Sequence, residues 1–244
     1  SVRVTSAGSA GGEYALMLTI TPVNDAPLAN ATSASGAEDT AIPVTLSGSD
    51  VDGTVASFSV AAQPASGTLY GDAGLTTVVN VGDVLSATGN AVTLYYKGQL
   101  DFNGPDSFTY TAKDNTGADS AATATASLTI TPVNDVPMIG GVHTGSVTED
   151  IDVVAGNLVT SGALTIADPD QGQSSFTAQT GTAATFGSFT LVADGAWTYT
   201  ASDSQSAIQQ LGAGQSISDS FTATSSDGTA SQLVSVTING SNDV

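Results

Sequence analysis

ATASLTITPVNDVP, residues 124–137, is the stretch on which the fold turns. Ala124, Ala126, Leu128 and Ile130 fall at every second position with Thr or Ser between them. That is the period of a strand with one face in a core and the other in water. Pro132 ends the alternation, and Asn134-Asp135-Val136-Pro137 has the composition of a stiff linker. The passage has an earlier counterpart: LTITPVNDAP at residues 18–27 matches LTITPVNDVP at 128–137, a shift of 110 residues, and VTINGSNDV closes the chain at 236–244. A period this long marks a whole domain and not a solenoid repeat. The reading is therefore residues 1–24 as the C-terminal strand of a preceding repeat, 25–134 as one β-sandwich and 135–244 as a second. The first segment is expected to be poorly anchored or to pair with a neighbouring sheet edge, in a chain excerpted from something longer.

Other segments repeat the alternation. EYALMLTIT places Tyr14, Leu16, Leu18 and Ile20 on one face, and LVSVTIN does the same with Val234, Val236 and Ile238. FGSFTLVADGAWTYTAS reads as a hairpin with Asp194-Gly195 at the turn and Phe189, Leu191, Trp197 and Tyr199 pointing inward. Ser204 to Leu211 breaks the pattern and reads as a short helix, with Asp203 as N-cap and Gly212 as its stop. Many short strands with Gly, Asn and Asp turns indicate an all-β sandwich for each period.

Composition narrows the function. The 244 residues hold 23 acidic and 3 basic side chains, a net charge of −20, although only 11% are charged. Such a surface repels phosphate backbones and anionic lipid, which excludes nucleic acid as a partner. With 40% apolar residues the chain can build cores, so disorder is excluded as well. No run of 18 apolar residues offers membrane insertion. Without cysteine, thiolate metal sites and Cys nucleophiles are ruled out. Twenty of the acids are Asp. Its short side chain suits a carboxylate fixed in a rigid loop, as oxygen-only cages for hard divalent cations require.

The acids recur in order. Asn24-Asp25 is followed by Glu38-Asp39, then by Asp50 and Asp52 in Asp-x-Asp; Asn134-Asp135 is followed by Glu149-Asp150, then by Asp168 and Asp170. DSFTYTAKDNTG at 106–117 and DSFTATSSDGTA at 219–230 bring Asp114 and Asp227, and Asn242-Asp243 ends the series. These motifs hold thirteen of the 23 acids. Taken singly, each reads as a turn or a solvated loop. Their joint recurrence at domain ends points to Ca²⁺, which takes about six to eight oxygen ligands and relieves the repulsion among clustered carboxylates.

Catalytic constellations are missing. The single histidine, His143, lies in a glycine-rich stretch and reads as exposed and inert, and no Gly-x-Ser-x-Gly elbow occurs. Carboxylates that recur with the domain period suit structure better than glycosidase chemistry. Tyr70 and whichever of Tyr95 and Tyr96 faces outward are the only hints of a ligand surface. The chain is read as no enzyme.

VNDAP, Glu-Asp, Asp-x-Asp and the Asp of KDNTG resemble the linker, Glu, Asp-x-Asp and Ala-x-Asp-x-Gly motifs of cadherin-type repeats, which bind Ca²⁺ between successive domains. Residues 25–134, with DFNGPDSFTYTAKDNTG, resemble the cadherin-like tandem repeats of large bacterial surface proteins. Residues 135–244, with GSVTED, LTIADPD, GSFTLVADGAWTYT and INGSND, are similar to a VCBS repeat. Both occur in giant RTX-type adhesins exported by Gram-negative bacteria.

The resemblance implies tandem Ig-like/cadherin-like β-sandwich domains in series, with one calcium cluster per junction. Glu38, Asp39, Asn134, Asp135, Asp168, Asp170 and Asp227 would form the central one. Asn24, Asp25, Asp50, Asp52 and Asp114 would play the matching parts before it, and Glu149, Asp150, Asn242 and Asp243 recur at the C-terminal end. Pro22 and Pro132 stand where cadherins place a further acid, and the stretch 101–103 departs from the cadherin Asp-Arg-Glu motif, so fewer ions per junction are expected.

The implied function is that of a calcium-stiffened extender in a secreted, extracellular surface adhesin, serving cell adhesion and biofilm. It is expected to be monomeric, with neighbouring repeats of the same chain as its partners. The alternative is a calcium-dependent recognition module for a peptide or glycan.

Overall fold

The computed structural model describes residues 20–242 and divides between Pro132 and Val133 into two units, each with its own core. The strand and anchoring readings for residues 1–19 lie outside the described residues, as does Asp243.

The first unit pairs two sheets. One holds β1 (Leu28–Asn30), β3 (Ile42–Ser49), β7 (Ala91–Gly98) and β5 (Gly67–Tyr70) in that order. The other runs β2 (Thr32–Ala37), β9 (Ala124–Thr131), β8 (Gly104–Asp114), β4 (Val55–Ala62) and β6 (Val84–Ser86). In the second unit β10 (Met138–Gly141), β12 (Asn157–Ala167), β15 (Ala196–Ser202), β14 (Gly187–Leu191) and β13 (Gln179–Ala183) form one sheet. The facing sheet has β11 (Thr144–Thr148), β17 (Ser231–Asn239) and β16 (Ser216–Thr224).

The alternation that opened the sequence is β9, in which Ala124, Ala126, Leu128 and Ile130 are all buried and the intervening residues exposed. Its counterpart β17 buries Val234, Val236 and Ile238. Burying each such aliphatic side chain is worth about 1.5–3 kcal/mol. In each unit this last strand also accepts the only parallel partner among the named strands, β2 on β9 and β11 on β17. The hairpin forms as read: Gly195 turns with φ +96°, and Phe189, Leu191, Trp197 and Tyr199 are buried. Trp197 lies flat against Gly162, where a β-carbon would come within 2.6 Å of the indole, and its Nε1 donates to the Val142 carbonyl at 2.7 Å.

The helix is shorter than the sequence reading and differently capped. It is one turn, α1 (Ser206–Gln209), with Gln205 at the N-cap and no side-chain cap bond. Asp203 instead accepts the Asp150 N–H at 3.3 Å. The Gln205 amide, which donates to the carbonyls of Phe186 at 2.6 Å and Ser202 at 3.0 Å, pins the start of the turn to β14 and β15.

Both units share a lock that the sequence showed only as a repeated DSF. In the first, the buried Tyr96 ring covers Gly67 and its hydroxyl donates to Asp106 at 2.9 Å, while Asp106 also accepts the N–H groups of Ala65, Ser66 and Ser107. In the second, Tyr199 covers Gly187 and donates to Asp219 at 2.8 Å, and Asp219 accepts N–H groups from Thr185, Phe186 and Gly187. Burial opposes the Asp106 charge, but the N–H donors of Ser66, Ala65 and Ser107 outweigh it and hold its carboxyl below the ordinary range. Burial, and then the partner carboxylate, push both phenols upward, so each remains a donor.

Tyr199→Phe is expected to weaken the second unit by about 1.5–3 kcal/mol, the worth of a hydrogen bond to a charged group. Asp219→Ala, which strands four donors, should cost about 3–5 kcal/mol in urea unfolding. Asp106 has a depressed folded value, so its stabilisation is full above the unfolded carboxyl range and fades as pH falls below it. The stability gap between wild type and Asp106→Asn should stay constant from pH 7 to about 5 and narrow below that. A gap that did not move with pH would show that the Asp106 charge is not what the lock uses.

Candidate metal centre

The Asn-Asp pair that leads into each sandwich is docked on it, within the same unit, by the same four contacts. Asn24 Nδ2 donates to Asp114 Oδ2 at 2.7 Å and to the Asp25 carbonyl at 3.0 Å. The Asp25 N–H meets the Asp52 carboxylate at 3.2 Å, and the Asp52 N–H meets Asp50 Oδ1 at 3.3 Å. In the second unit Asn134 Nδ2 reaches Asp227 Oδ2 at 3.0 Å and the Asp135 carbonyl at 2.9 Å. The Asp135 N–H meets Asp170 Oδ2 at 2.8 Å, and the Asp170 N–H meets Asp168 Oδ1 at 2.9 Å. The sequence-predicted set Asn24, Asp25, Asp50, Asp52 and Asp114 is thus assembled within one unit, and Asn134, Asp135, Asp168, Asp170 and Asp227 within the other.

Asp114, the last residue of β8, and Asp227, in the turn after β16, anchor these sets. Asp114 Oδ1 gathers the N–H groups of Thr116, Gly117 and Ala118 at 2.6–2.8 Å, leaving Oδ2 for Asn24. The Asn24 amide, followed by the turn donors, holds the Asp114 carboxyl far below its ordinary value. Asp227 is lowered similarly by the hydroxyls of Ser225 and Thr229 and the amide of Asn134. Both therefore stay ionised throughout the neutral and mildly acidic range.

The Glu-Asp pairs sit at the other end of each unit, and the parallel strands put them there. Ala37 is the last residue of β2 and lies opposite Thr131, the last of β9, so Glu38 falls beside the point where the chain leaves the unit. Its N–H donates to the Thr131 carbonyl at 2.9 Å, and Glu149 repeats the bond to Asn239 at 3.0 Å. Glu38 is buried, and its Oε2 accepts the Asn103 amide at 3.3 Å. Glu149 is wholly buried, with Oε1 on the Ser241 N–H at 2.7 Å. Asp39 and Asp150, the next residues, both take the left-handed conformation, at φ 57° and 58°. Asp39 pairs with Lys97 at 3.6 Å, and the Asp150 carboxylate accepts the Gln209 amide at 3.4 Å.

Asn242 is engaged elsewhere, its Oδ1 accepting the Ala213 N–H at 3.1 Å. Sequence reading missed Lys97, Asn103, Gln209 and Ser241. Lys97 carried a signal as one of three basic residues in a strongly acidic chain, and Asn103 lay in the stretch 101–103 that departs from the cadherin motif. His143 is exposed, Tyr96 is buried, and Tyr95 lies opposite Tyr70 on the outer face of β5 and β7.

The donor set fits a hard cation. Among the described residues, three buried side-chain oxygens have no hydrogen-bond partner: Asp50 Oδ2, Glu149 Oε2 and Asp168 Oδ2. All three belong to the recurring motifs. A carboxylate oxygen shut away from water without a donor costs several kcal/mol, and oxygen ligands of this kind are what Ca²⁺ takes.

Comparison with known proteins agrees with this architecture. Residues 24–131 match the family model of the bacterial Ig domain, and residues 134–240 that of the bacterial cadherin-like domain. The chain is a tandem of Ig-like and cadherin-like domains. Mouse cadherin-23 EC22–24 is 15% identical with a TM-score of 0.53, over 91% of this chain and 68% of that one. The protocadherin gamma B2 extracellular cadherin domains 1–5 give 13% and 0.53, over 92% of this chain and 40% of that one. The protocadherin gammaB4 extracellular domain gives 16% and 0.51, over 92% and 34%. At such identities the likeness is one of fold. No curated protein matches. Bacterial cadherin-like and Ig domains are typical of extracellular surface proteins, and no helix among the described residues is long and apolar enough to cross a membrane.

Glu149→Gln replaces the buried carboxylate, whose Oε2 has no donor, by a neutral amide of the same shape. In chelator it should stabilise the second domain by about 1–3 kcal/mol in urea unfolding, the desolvation cost removed. Destabilisation there would mean that the carboxylate is satisfied without a cation.

Proposed function

We propose that this chain is a calcium-dependent extender segment of a large bacterial surface adhesin of the RTX type, its Ig-like domain at 25–134 acting as a cadherin-like tandem repeat and its cadherin-like domain at 135–244 as a VCBS-type repeat. Calcium, when bound, supplies positive charge and about six to eight coordination positions for oxygen. The chain's own residues supply the rest. Asn24, Asp25, Asp50, Asp52 and Asp114 would hold an ion at the start of the first domain, and Asn134, Asp135, Asp168, Asp170 and Asp227 at the start of the second. Glu38 and Asp39 would contribute from the end of the first domain to the central junction, and Glu149, Asp150, Asn242 and Asp243 are the matching group at the end of the second.

The observation that carries this reading is the three unpartnered buried carboxylate oxygens, every one inside a motif recurring with the domain period. Hydrogen bonds from the linker N–H groups hold Asp52 and Asp170 in place beforehand, so little ordering is left for binding. Ligands drawn from two successive domains would turn a short linker into a clamped joint and the string of domains into a rod. Such a segment would project a distal adhesive domain from a Gram-negative cell surface, in adhesion and biofilm. It needs no catalytic group and works as a monomer with its neighbouring repeats as partners.

Small-angle scattering and calorimetry on the whole chain test the reading. With millimolar Ca²⁺ the maximum dimension should lengthen and the melting temperature rise relative to chelator, since an ion binding only the native state stabilises by about 2.7 kcal/mol at one hundred times its Kd. Unchanged dimension and melting temperature would sink it.

A further inference from the structure

We propose that Lys97 is an internal counter-ion that competes with calcium for Asp39 and sets the affinity at that end of the first domain. The inference rests on the calcium reading and adds a regulatory residue to it. The chain carries only three basic residues against 23 acidic ones, so the position of each matters. Lys113 pairs with Asp119 at 2.8 Å, outside the recurring motifs. Lys97 reaches one of them, with Nζ 3.6 Å from Asp39 Oδ1.

Strand geometry delivers the ammonium there. Tyr96 points into the core and is fully buried, so the next residue on β7 projects to the opposite face. Ile42, at the start of β3, lies opposite Tyr96, which leaves Lys97 level with the turn that carries Asp39. That turn is closed by Thr40 Oγ1 on the Ala37 carbonyl at 2.6 Å, and Asp39 is held at φ 57°. Lys97 and Asp39 are about one-quarter and one-third exposed, open enough for a dissolved ion to displace the ammonium.

In the second domain the same Glu-Asp pair has no lysine. Asp150 accepts a neutral amide from Gln209 instead. Equal motifs thus carry unequal charge, and no alignment of the acids alone would distinguish them. Without calcium, Lys97 cancels one of the clustered negative charges. With calcium, it must yield the Asp39 oxygen and then stand as a repelled cation beside the ion.

The test is calcium titration by calorimetry on the full chain and on Lys97→Met and Lys97→Arg variants, with melting in chelator as a second readout. Lys97→Met should bind calcium about tenfold more tightly at low salt, since a unit charge some 5 Å from a divalent ion in a water-like dielectric acts at this scale. Lys97→Arg keeps the charge and should match the wild type. In chelator, Lys97→Met should melt no more than a few degrees lower, as a partly exposed ion pair is lost. Unchanged or weaker binding by Lys97→Met would overturn the proposal while leaving the calcium reading intact. A wild type that takes up no calcium would overturn both.

Discussion

The parallel pairing of an early strand with the last strand of each domain is the constraint on which the remaining architecture depends. Antiparallel neighbours can be joined by a tight turn, whereas a parallel pair needs a crossover, and here the body of the domain serves as one. Laying β2 on β9 therefore brings the residue after an early strand beside the residue at which the chain departs. Glu38 occupies that place, and Glu149 does so in the second domain, each with its N–H on the carbonyl of the last strand's final residue. The acidic turn is thereby tied to the exit of the chain. The departing linker then needs only Asn-Asp to dock on the next domain's Asp-x-Asp.

Charge is laid out on the same plan. The strands are lined outwardly by Ser and Thr, while the recurring acids sit in turns where backbone N–H groups meet them. Asp serves here better than Glu, because its carboxylate reaches N–H groups two to four residues ahead, as Asp114 does with Thr116, Gly117 and Ala118. Donors of this kind stabilise one oxygen of a carboxylate and leave the other to face outward or inward unpaired. Asp50 and Asp168 show the division: one oxygen takes the N–H two residues on, and the second is buried with no donor. The −20 of the chain is thus less a diffuse coat than a set of oriented carboxylates, three of which keep a buried oxygen without a donor.

Much of the architecture was legible because strand burial has a strict period. Ala124 to Ile130 and the Asp194-Gly195 hairpin could be read directly, and recurrence picked out the acids that the structure gathers at the start of each domain. What could not be read depends on partners far away in the chain. Asp106 and Asp219 stood in a visible repeat, yet their role rests on N–H groups some thirty to forty residues earlier, which carry no side-chain signature. The cap at Asp203 failed for a related reason: its carboxylate is claimed by the Asp150 N–H across the domain. Lys97 was visible as a rarity, but only strand register shows which acid it meets.

The loops that continue from the two Glu-Asp ends also differ, and the difference bears on how rigidly each end is held. In the first domain a single left-handed residue, Asp39, turns the chain into β3. In the second, Asp150, Asp152 and Ala155 all adopt this conformation before Asn157, and Ile151 and Val154 stand largely exposed. Each such residue lacking glycine's freedom costs about 1–2 kcal/mol. That cost is borne by bonds at both ends of the loop, from Asp203 and Gln209 on one side and the reciprocal Val154–Asn157 bridge on the other. Among the described residues, the second domain therefore fixes its acidic end without a basic side chain, where the first uses Lys97. On the calcium reading, an acidic end without a nearby ammonium offers its acid to a cation with no internal competitor, so the same Glu-Asp motif is framed differently in the two domains.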